Sequence, residues 1–291
     1  MNISLALGGG GAKGNAHIGV LRVLERAGFE IRAIAGTSAG GIVAAAYAAG
    51  YSPDEIETHM SGITQSKLYG RQPGDGPALL GVTGVARSLT ELLGERTFND
   101  LRIPCAVTAV DMESGQEVIL QQGRVVDALL ATIAIPGIFP SKQLENHLLA
   151  DGGVLDPVPV SVARSLAPDL PVVAVVLSPP QQQWADLPTP DIFSPYPVLE
   201  RITRLRVAQA FEIFIRSVDI GNRMLTELRL QIDKPEVIIR PDVGHIGLLE
   251  KADVAAIAKR GEQAAEAALP ELHRAVSWRS KLARRLPKLI Y

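Results

Sequence analysis

Short apolar runs alternate with helical segments along the first half of the chain, which is the pattern of an α/β fold. Residues 3–7 and 31–35 are apolar enough to form buried strands. Each run leads into a glycine-containing turn and then a segment with helical character, at 14–27 and 39–49. Ser52, followed by Pro-Asp-Glu, predicts the capped start of a third helix.

The alternation continues along the rest of the chain. The uninterrupted apolar run at 172–177 is typical of a central parallel strand. Further strands are predicted at 101–112, 116–121, 148–150 and 237–239, and further helices at 125–135, 196–228 and 251–268. A break is expected near Gly221 in the second of these helices. Residues 61–82 and 178–197, rich in Gly, Pro and Gln, predict surface loops.

One stretch approaches the length of a membrane span. Residues 33–50 contain no charge, and a stretch of about eighteen residues touches the threshold for a transmembrane helix. Its residues are mostly Ala, Gly, Ser and Thr, which partition poorly into lipid. We therefore predict a buried strand, a turn and a helix there.

Composition and charge narrow the class of protein. The chain has 291 residues, 47% of them hydrophobic and 21% charged, which suits one large or two small globular domains. A net charge of −2 gives no field that would recruit nucleic acid. The single cysteine, Cys105, lies in an apolar run and is predicted to be a buried thiol. With no basic leader at the start, we expect a cytoplasmic protein.

A glycine-rich loop, Gly8-Gly-Gly-Gly-Ala-Lys-Gly14, separates the first predicted strand from the first helix. Such a loop brings backbone amides close to a ligand that carries negative charge. It is compatible with a dinucleotide site, an oxyanion hole or a purely structural turn. The dinucleotide site requires an acidic residue at the end of the next strand. Glu30 lies before that strand and Gly36 after it, so this requirement fails.

The pentapeptide Gly36-Thr-Ser-Ala-Gly40 fits the Gly-x-Ser-x-Gly nucleophile elbow. An apolar strand enters it and an alanine-rich helix leaves it, as the elbow requires. The strained turn tolerates only tiny side chains two residues either side of the serine, and Gly36 and Gly40 satisfy that condition. Ser38 is therefore the candidate nucleophile.

A serine hydroxyl needs a base to act at neutral pH. None of the five histidines lies on a loop after a late strand, where an α/β-hydrolase places its base; they are His17, His59, His147, His245 and His273. His17 is interpreted as a packing residue, and His147 remains an alternative base because it is close in sequence to Asp151. Asp151, in Asp-Gly-Gly at the end of an apolar run, is either the base or part of an ordinary turn. The occurrence of all three motifs in order favours the base.

The glycine loop with Lys13, the Gly-Thr-Ser-Ala-Gly elbow and Asp-Gly-Gly together resemble the bacterial branch of the patatin-like phospholipase family. The segments at 134–140 and 154–159 resemble it as well, and the similarity covers about residues 3–180. The resemblance implies a three-layer α/β/α sandwich around a central, mostly parallel sheet. We assign residues 1–272 to this hydrolase domain and 273–291 to a basic terminal segment.

The same resemblance implies a catalytic dyad that uses no metal or cofactor. Ser38 would attack the ester carbonyl to form an acyl-enzyme, and Asp151 would accept its proton. The oxyanion donors would be the amides of Gly9, Gly10 and Gly11. Residues that match supporting positions of the motifs are Lys13, Gly14, Gly36, Gly40, Gly152 and Gly153.

The expected substrate is a lipid or another carboxylic ester, with Ile135, Ile138 and Phe139 as candidates for an acyl channel. Residues 273–291 carry six basic residues and no acid among apolar positions. This composition predicts either peripheral contact with an anionic membrane or a solvated terminal helix. A non-catalytic lipid-binding or regulatory module that keeps the same fold is the alternative function. The sequence leaves the oligomeric state and the particular lipid open.

Overall fold

The computed structural model describes residues 1–63, 68–70, 78–186, 206–250 and 253–277. A mixed, mostly parallel sheet lies at its centre, with helices on both faces. The strands are β1 (Asn2–Leu7), β2 (Glu30–Gly36), β3 (Cys105–Asp111), β4 (Glu117–Leu120), β5 (Lys142–Leu144), β6 (His147–Asp151), β7 (Val172–Val175) and β8 (Val237–Ile239). The helices are α1 (Ala16–Arg26), α2 (Ala39–Ala48), α3 (Pro53–Gly62), α4 (Thr83–Leu93), α5 (Val125–Thr132), α6 (Val160–Leu166), α7 (Arg206–Asp233) and α8 (Val254–Ala275).

The strand order is β5-β6-β3-β2-β1-β7-β8, and β4 also pairs with β3. The pairs β1–β2, β1–β7, β2–β3 and β7–β8 are parallel. The pairs β3–β4, β3–β6 and β5–β6 are antiparallel. Because β1 and β2 run in the same direction, the loops that follow them lie side by side at one edge of the sheet.

The two faces of the sheet carry side chains of different size. Leu5 and Ile34 pack in a core shared with α1, α2 and α8. Ala6 and Ala35 point the other way, into a smaller core with α6 and with Leu230 of α7. This arrangement confirms the predicted sandwich of helices, sheet and helices.

The uncharged stretch 33–50 forms the end of β2, a sharp turn and α2, as predicted. Ser52 caps α3, and its hydroxyl and amide form a reciprocal capping box with Glu55. Cys105 is buried, as predicted, and burial raises the pKa of its thiol to about 12. The structure adds α4, α6 and β5, which the sequence pattern did not predict. The predicted break near Gly221 is wrong, because α7 continues through it without interruption.

The last described helix passes the predicted domain boundary at residue 272 and ends at Ala275. The ring of His273 packs against Phe29, with 5.3 Å between ring centroids. The rest of the predicted basic segment, residues 278–291, lies outside the described residues, as do 64–67, 71–77 and 187–205 of the predicted loops and helix. Membrane contact through 273–291 therefore stays a prediction. Within the described ranges, no helix has the length and apolar character needed to cross a bilayer.

Candidate active site

Ser38 lies in the sharp turn between β2 and α2, with φ 53° and ψ −124°. A non-glycine residue rarely adopts positive φ, and such strain persists only where the surroundings enforce it. The backbone amide of Ser38 donates to the Thr132 hydroxyl at 2.9 Å, which is one of those constraints. The turn therefore presents the serine side chain at the end of β2, as the nucleophile elbow requires.

The two glycines of the elbow are required by close backbone approach. A Cβ at Gly36 would lie 2.4 Å from the carbonyl oxygen of Gly40, and one at Gly40 would lie 2.3 Å from the carbonyl oxygen of Leu7. Both distances are far below van der Waals contact, and backbone atoms cannot easily move aside. The expectation that only tiny residues fit two positions before and after Ser38 is confirmed.

Strand β3 sets the distance between the elbow and the candidate base. Gly36 of β2 pairs with Val107, and Asp151 of β6 pairs with Ala109, two residues further along β3. Thr108 lies between these two positions, and its hydroxyl is 2.7 Å from the hydroxyl of Thr37. Residues more than a hundred positions apart in sequence are thus brought to one end of the sheet.

The residues after Asp151 fit closely around the same point. A Cβ at Gly152 would lie 2.2 Å from the Thr108 hydroxyl oxygen, so a larger residue would push the turn away. The amide of Gly153 donates to Asp151 Oδ1 at 2.7 Å. Gly152 and Gly153 therefore hold the carboxylate in place. Steric fit explains the first glycine of the Asp-Gly-Gly motif, and the backbone hydrogen bond to Asp151 involves the second.

Asp151 is almost fully buried, as is Ser38, each with 6% of its surface exposed. Burial raises the pKa of Asp151 to about 6, while hydrogen bonding from the Ser38 hydroxyl and the Gly153 amide acts in the opposite direction. A carboxylate with a pKa near 6 is ionised at neutral pH and is still basic enough to accept a proton. The arrangement places a basic carboxylate within hydrogen-bonding reach of the Ser38 hydroxyl.

The glycine loop passes directly beside Ser38, since a Cβ at Gly9 would lie 3.3 Å from Ser38 Cβ. The Gly9 amide already donates to the carbonyl of Pro157 at 2.9 Å, which corrects the expectation that it is an oxyanion donor. Among the described residues, the amides of Gly10 and Gly11 find no hydrogen-bond acceptor. They remain the candidate donors of the loop.

Close packing explains why glycine occupies positions 11 and 14 of the loop. Gly11 has φ +57°, and a Cβ there would lie 2.1 Å from the carbonyl oxygen of Leu248. A Cβ at Gly14 would lie 2.6 Å from Ala39 Cβ, so this glycine lets the loop pack against the start of α2. The loop and the elbow thus fit together as one unit.

His17 has a function in this unit that the sequence did not reveal. Its side chain is fully buried, and Nε2 lies 2.8 Å from the Gly8 carbonyl oxygen. Because a carbonyl only accepts, Nε2 carries the proton. Burial lowers the pKa of His17 to about 4, so the ring is neutral at physiological pH. The expected packing residue therefore also anchors the start of the glycine loop.

His147 and His59 have partners outside the elbow. His147 Nδ1 lies 3.2 Å from Asp111 Oδ2, and the pKa of Asp111 is lowered to about 2, first by a hydrogen bond from Ser114 and then by His147. His59 Nε2 lies 3.1 Å from the Ser88 hydroxyl. His147 lines neither of the cavities that contain Ser38, which disfavours it as the base for Ser38.

Two cavities meet at Ser38. The first, of about 420 Å³, is mainly apolar and reaches from the glycine loop toward α3 and α4. The second, of about 530 Å³, contains Asp151 and is bounded by α7. Of the residues predicted to line an acyl channel, Ile135 borders both cavities, Phe139 the first and Ile138 the second.

Lys13, Asp219 and Arg223 form a charged corner of the second cavity, which Arg216 also lines. Asp219 and Arg223 form an ion pair one turn apart on α7. Burial lowers the pKa of the Lys13 ammonium, and the nearby Asp219 opposes this effect. Lys13 therefore lines the same cavity as Asp151, a placement that the sequence did not predict.

Asp156 is a second residue that sequence reasoning left without a function. It is completely buried, and its carboxylate forms an ion pair with Arg229 of α7 at 2.8 Å. Its backbone carbonyl accepts a hydrogen bond from the Thr37 hydroxyl at 2.8 Å. Burial raises the pKa of Asp156, and Arg229 opposes this effect. One residue therefore connects α7 to the nucleophile turn.

The chain is similar to known proteins over a region that includes Ser38 and Asp151. A family model described as patatin-like phospholipase matches residues 5–164. An uncharacterized NTE family protein of Mycobacterium tuberculosis is 36% identical over 178 residues, which is 60% of this chain and 49% of the relative. Another from Mycobacterium bovis is 32% identical over 275 residues, which is 92% of this chain and 46% of the relative. The chain thus spans about half the length of these two relatives.

Two further matches extend the comparison. Patatin-like phospholipase domain-containing protein 6 of Mus musculus is 30% identical over 171 residues, which is 56% of this chain and 13% of that protein. The crystal structure of VipD from Legionella pneumophila superposes with a TM-score of 0.54 at 14% identity, covering 92% of this chain and 66% of that one. At 14% identity, the likeness to VipD concerns the fold alone.

Proposed function

Because the chain belongs to the patatin-like phospholipase family, we propose that it hydrolyses carboxylic esters of lipids, with Ser38 as nucleophile and Asp151 as general base. Family membership supports the hydrolysis of lipid acyl esters in general. The observation that carries the specific proposal is a strained serine next to a buried carboxylate with a pKa of about 6. The two residues supply the nucleophile and the base that ester cleavage needs.

In the first half of the reaction, the Ser38 hydroxyl oxygen attacks the ester carbonyl carbon while its proton passes to Asp151. The negative charge on the carbonyl oxygen is stabilised by the amides of Gly10 and Gly11; one such donor contributes about 3–4 kcal/mol. As the tetrahedral intermediate collapses, the bond to the alcohol breaks and Asp151 returns the proton to the leaving oxygen. Acyl-Ser38 remains.

In the second half, a water molecule replaces the alcohol beside Asp151. Asp151 takes a proton from the water as the oxygen attacks the acyl carbon. The bond to Ser38 then breaks, and the proton returns from Asp151 to the serine oxygen. The products are a carboxylic acid and the free enzyme, so atoms and charges balance without a further reactant.

The positions of the two cavities suggest how a substrate lies. The leaving oxygen must be near Asp151, because that residue gives it a proton. The alcohol portion would therefore occupy the second cavity, which contains Asp151 and the charged corner around Lys13. The acyl chain would occupy the first cavity, whose apolar walls suit a hydrocarbon.

The proposal is tested by hydrolysis of short-chain nitrophenyl esters. We expect Ser38→Ala and Asp151→Asn each to lower kcat/KM by about a thousandfold or more, because either change removes one half of a unit. The double variant should be little slower than either single variant. His147→Ala is the matched control and should retain activity within about threefold.

Two outcomes would contradict this account. Loss of activity in His147→Ala with retention in Asp151→Asn would transfer the role of base to the histidine. A wild-type protein that binds lipid and hydrolyses no ester would support the non-catalytic alternative.

A further inference from the structure

We infer that the outward face of α7 docks this chain on a lipid surface of low charge and delivers lipid directly to the second cavity. The inference rests on the proposed function, since it concerns how a lipid reaches Ser38. It adds a surface outside residues 5–164, the part of the chain that the family model matches.

The polarity of α7 is reversed relative to an ordinary surface helix. Between residues 213 and 232, all the exposed positions are uncharged. A stripe of large apolar side chains runs along them: Ile213, Ile220, Met224, Leu228 and Ile232, exposed by 65%, 61%, 42%, 47% and 71%. We call these five residues the α7 stripe. It spans about 30 Å of helix.

Between residues 213 and 232, the charged residues of the same helix are only partly exposed, and all of them have partners. Arg229 contacts the buried Asp156, and Glu227 pairs with Arg240 at 2.8 Å. Asp219 and Arg223 pair with each other at the second cavity. The helix is thus fixed to the domain by its charges, and its apolar stripe is left in contact with water.

The stripe is continuous with the mouth of the second cavity. Phe214 and Val218 of α7 line that cavity and are also 50% and 40% exposed. Val154, which follows the Asp-Gly-Gly motif, lines it from another element and is 41% exposed. An apolar surface therefore leads from the stripe to Asp151, so that a lipid could enter without crossing water.

The character of the stripe favours lipid over a second copy of the chain. A pair of helices in water repeats its seam every 3.5 residues, with charged positions beside it. The stripe instead advances by seven, four, four and four residues, and the exposed positions beside it, which include Ser217, Gly221 and Gln231, are uncharged. An extended apolar patch on a single chain marks an interaction site. Because the face carries no cation, the lipid surface it fits is not strongly anionic.

The test is cosedimentation of the full chain with phosphatidylcholine vesicles, in a Ser38→Ala background so that turnover does not affect binding. In the variant Ile220→Gln/Met224→Gln/Leu228→Gln, we expect partition into vesicles to fall about tenfold or more. These three residues line neither cavity. The matched control is Met112→Gln/Ile119→Gln/Ile238→Gln, three exposed apolar residues away from α7, which should bind within about twofold of the parent.

A soluble short-chain ester separates this inference from the proposed function. With Ser38 restored, the stripe variant should hydrolyse it at a rate within about twofold of the wild type, which also shows that the variant folds. If the wild type hydrolyses no ester, the proposed function is refuted, and the vesicle experiment still tests whether the α7 stripe binds lipid.

Three vesicle results would overturn the inference. The first is equal binding by the parent and the stripe variant. The second is binding that requires anionic lipid and disappears at high salt, which would assign docking to the basic segment 273–291. The third is a parent that is dimeric and ignores vesicles while the stripe variant is monomeric, which would make the face an interface between copies.

Discussion

Asp151 is a residue whose ionisation opposes folding. Burial raises its pKa to about 6, so the folded protein binds a proton at Asp151 more tightly than the unfolded chain does. For an acid with a raised folded pKa, the stabilising contribution is complete below the unfolded value. It is lost as the pH rises through the folded value. The fold therefore keeps the Asp151 carboxylate ionised at neutral pH at the expense of stability.

Asp151→Asn removes that ionisation and retains an oxygen that can accept from the Gly153 amide. We expect its gain in free energy of unfolding over the wild type to increase between pH 4 and pH 8, by at most about 3 kcal/mol. Urea unfolding at both pH values measures it. Asp169→Asn, at an exposed position, is the control and should stay within about 0.5 kcal/mol of the wild type. An equal effect of Asp151→Asn at both pH values would contradict the raised pKa.

The sequence predicted single residues well where a local motif identifies them. Ser38 follows from the pentapeptide, because the elbow is made by neighbouring residues. The donors of the glycine loop were less predictable, since the Gly9 amide is taken by Pro157, far away in sequence. The hydrogen bond from His17 to Gly8 was also hidden. Its only signal was a histidine in an otherwise apolar stretch of helix.

At the scale of elements, α7 is tied to the nucleophile turn through Asp156. Arg229 neutralises a carboxylate that has no exposed surface, and the carbonyl of the same residue holds Thr37. A buried carboxylate that loses its partner is left as an uncompensated charge. The position of α7 should therefore depend on this ion pair more than on the pairs nearer the surface.

Arg229→Met is expected to lower the free energy of unfolding by about 3–5 kcal/mol, because it leaves Asp156 buried and unpaired. The double variant Arg229→Met/Asp156→Asn should be more stable than Arg229→Met alone. Arg240→Met, which breaks a partly exposed pair with Glu227 on the same helix, should cost about 1 kcal/mol. Urea titrations of the wild type, Arg229→Met, Asp156→Asn and the double variant complete the cycle, and purely additive losses for Arg229 and Asp156 would exclude coupling.

Periodicity predicted the long elements and missed the short or weakly marked ones. Strand β5 has three residues and is held by its hairpin with β6, so it carries little pattern of its own. Helix α4 begins without a side-chain cap and contains Gly84, which weakens its signal. Gly221 gave a false break: an exposed glycine costs a helix only about 1 kcal/mol. Tertiary contacts of α7 outweigh that cost.

At the scale of the whole molecule, the site assembles where parallel β1 and β2 end and antiparallel β6 arrives from the other direction. The sequence predicts the parallel strands, since apolar runs followed by helices specify them. It does not predict the register on β3, because that depends on which residues of distant strands meet. The closeness of Ser38 and Asp151 was therefore predicted only from the family resemblance. The sheet explains it, because β2, which leads into Ser38, and β6, which ends at Asp151, both pair with β3.

The most direct test of the dyad is covalent labelling with a long-chain fluorophosphonate, followed by mass spectrometry of the peptides. We predict one adduct, on Ser38, in the wild type and in His147→Ala. The labelling rate should rise with pH around the Asp151 pKa of about 6. In Asp151→Asn it should fall about a hundredfold or more and lose that pH dependence. An adduct on another residue, or labelling of Ser38 that is indifferent to Asp151→Asn, would contradict the account.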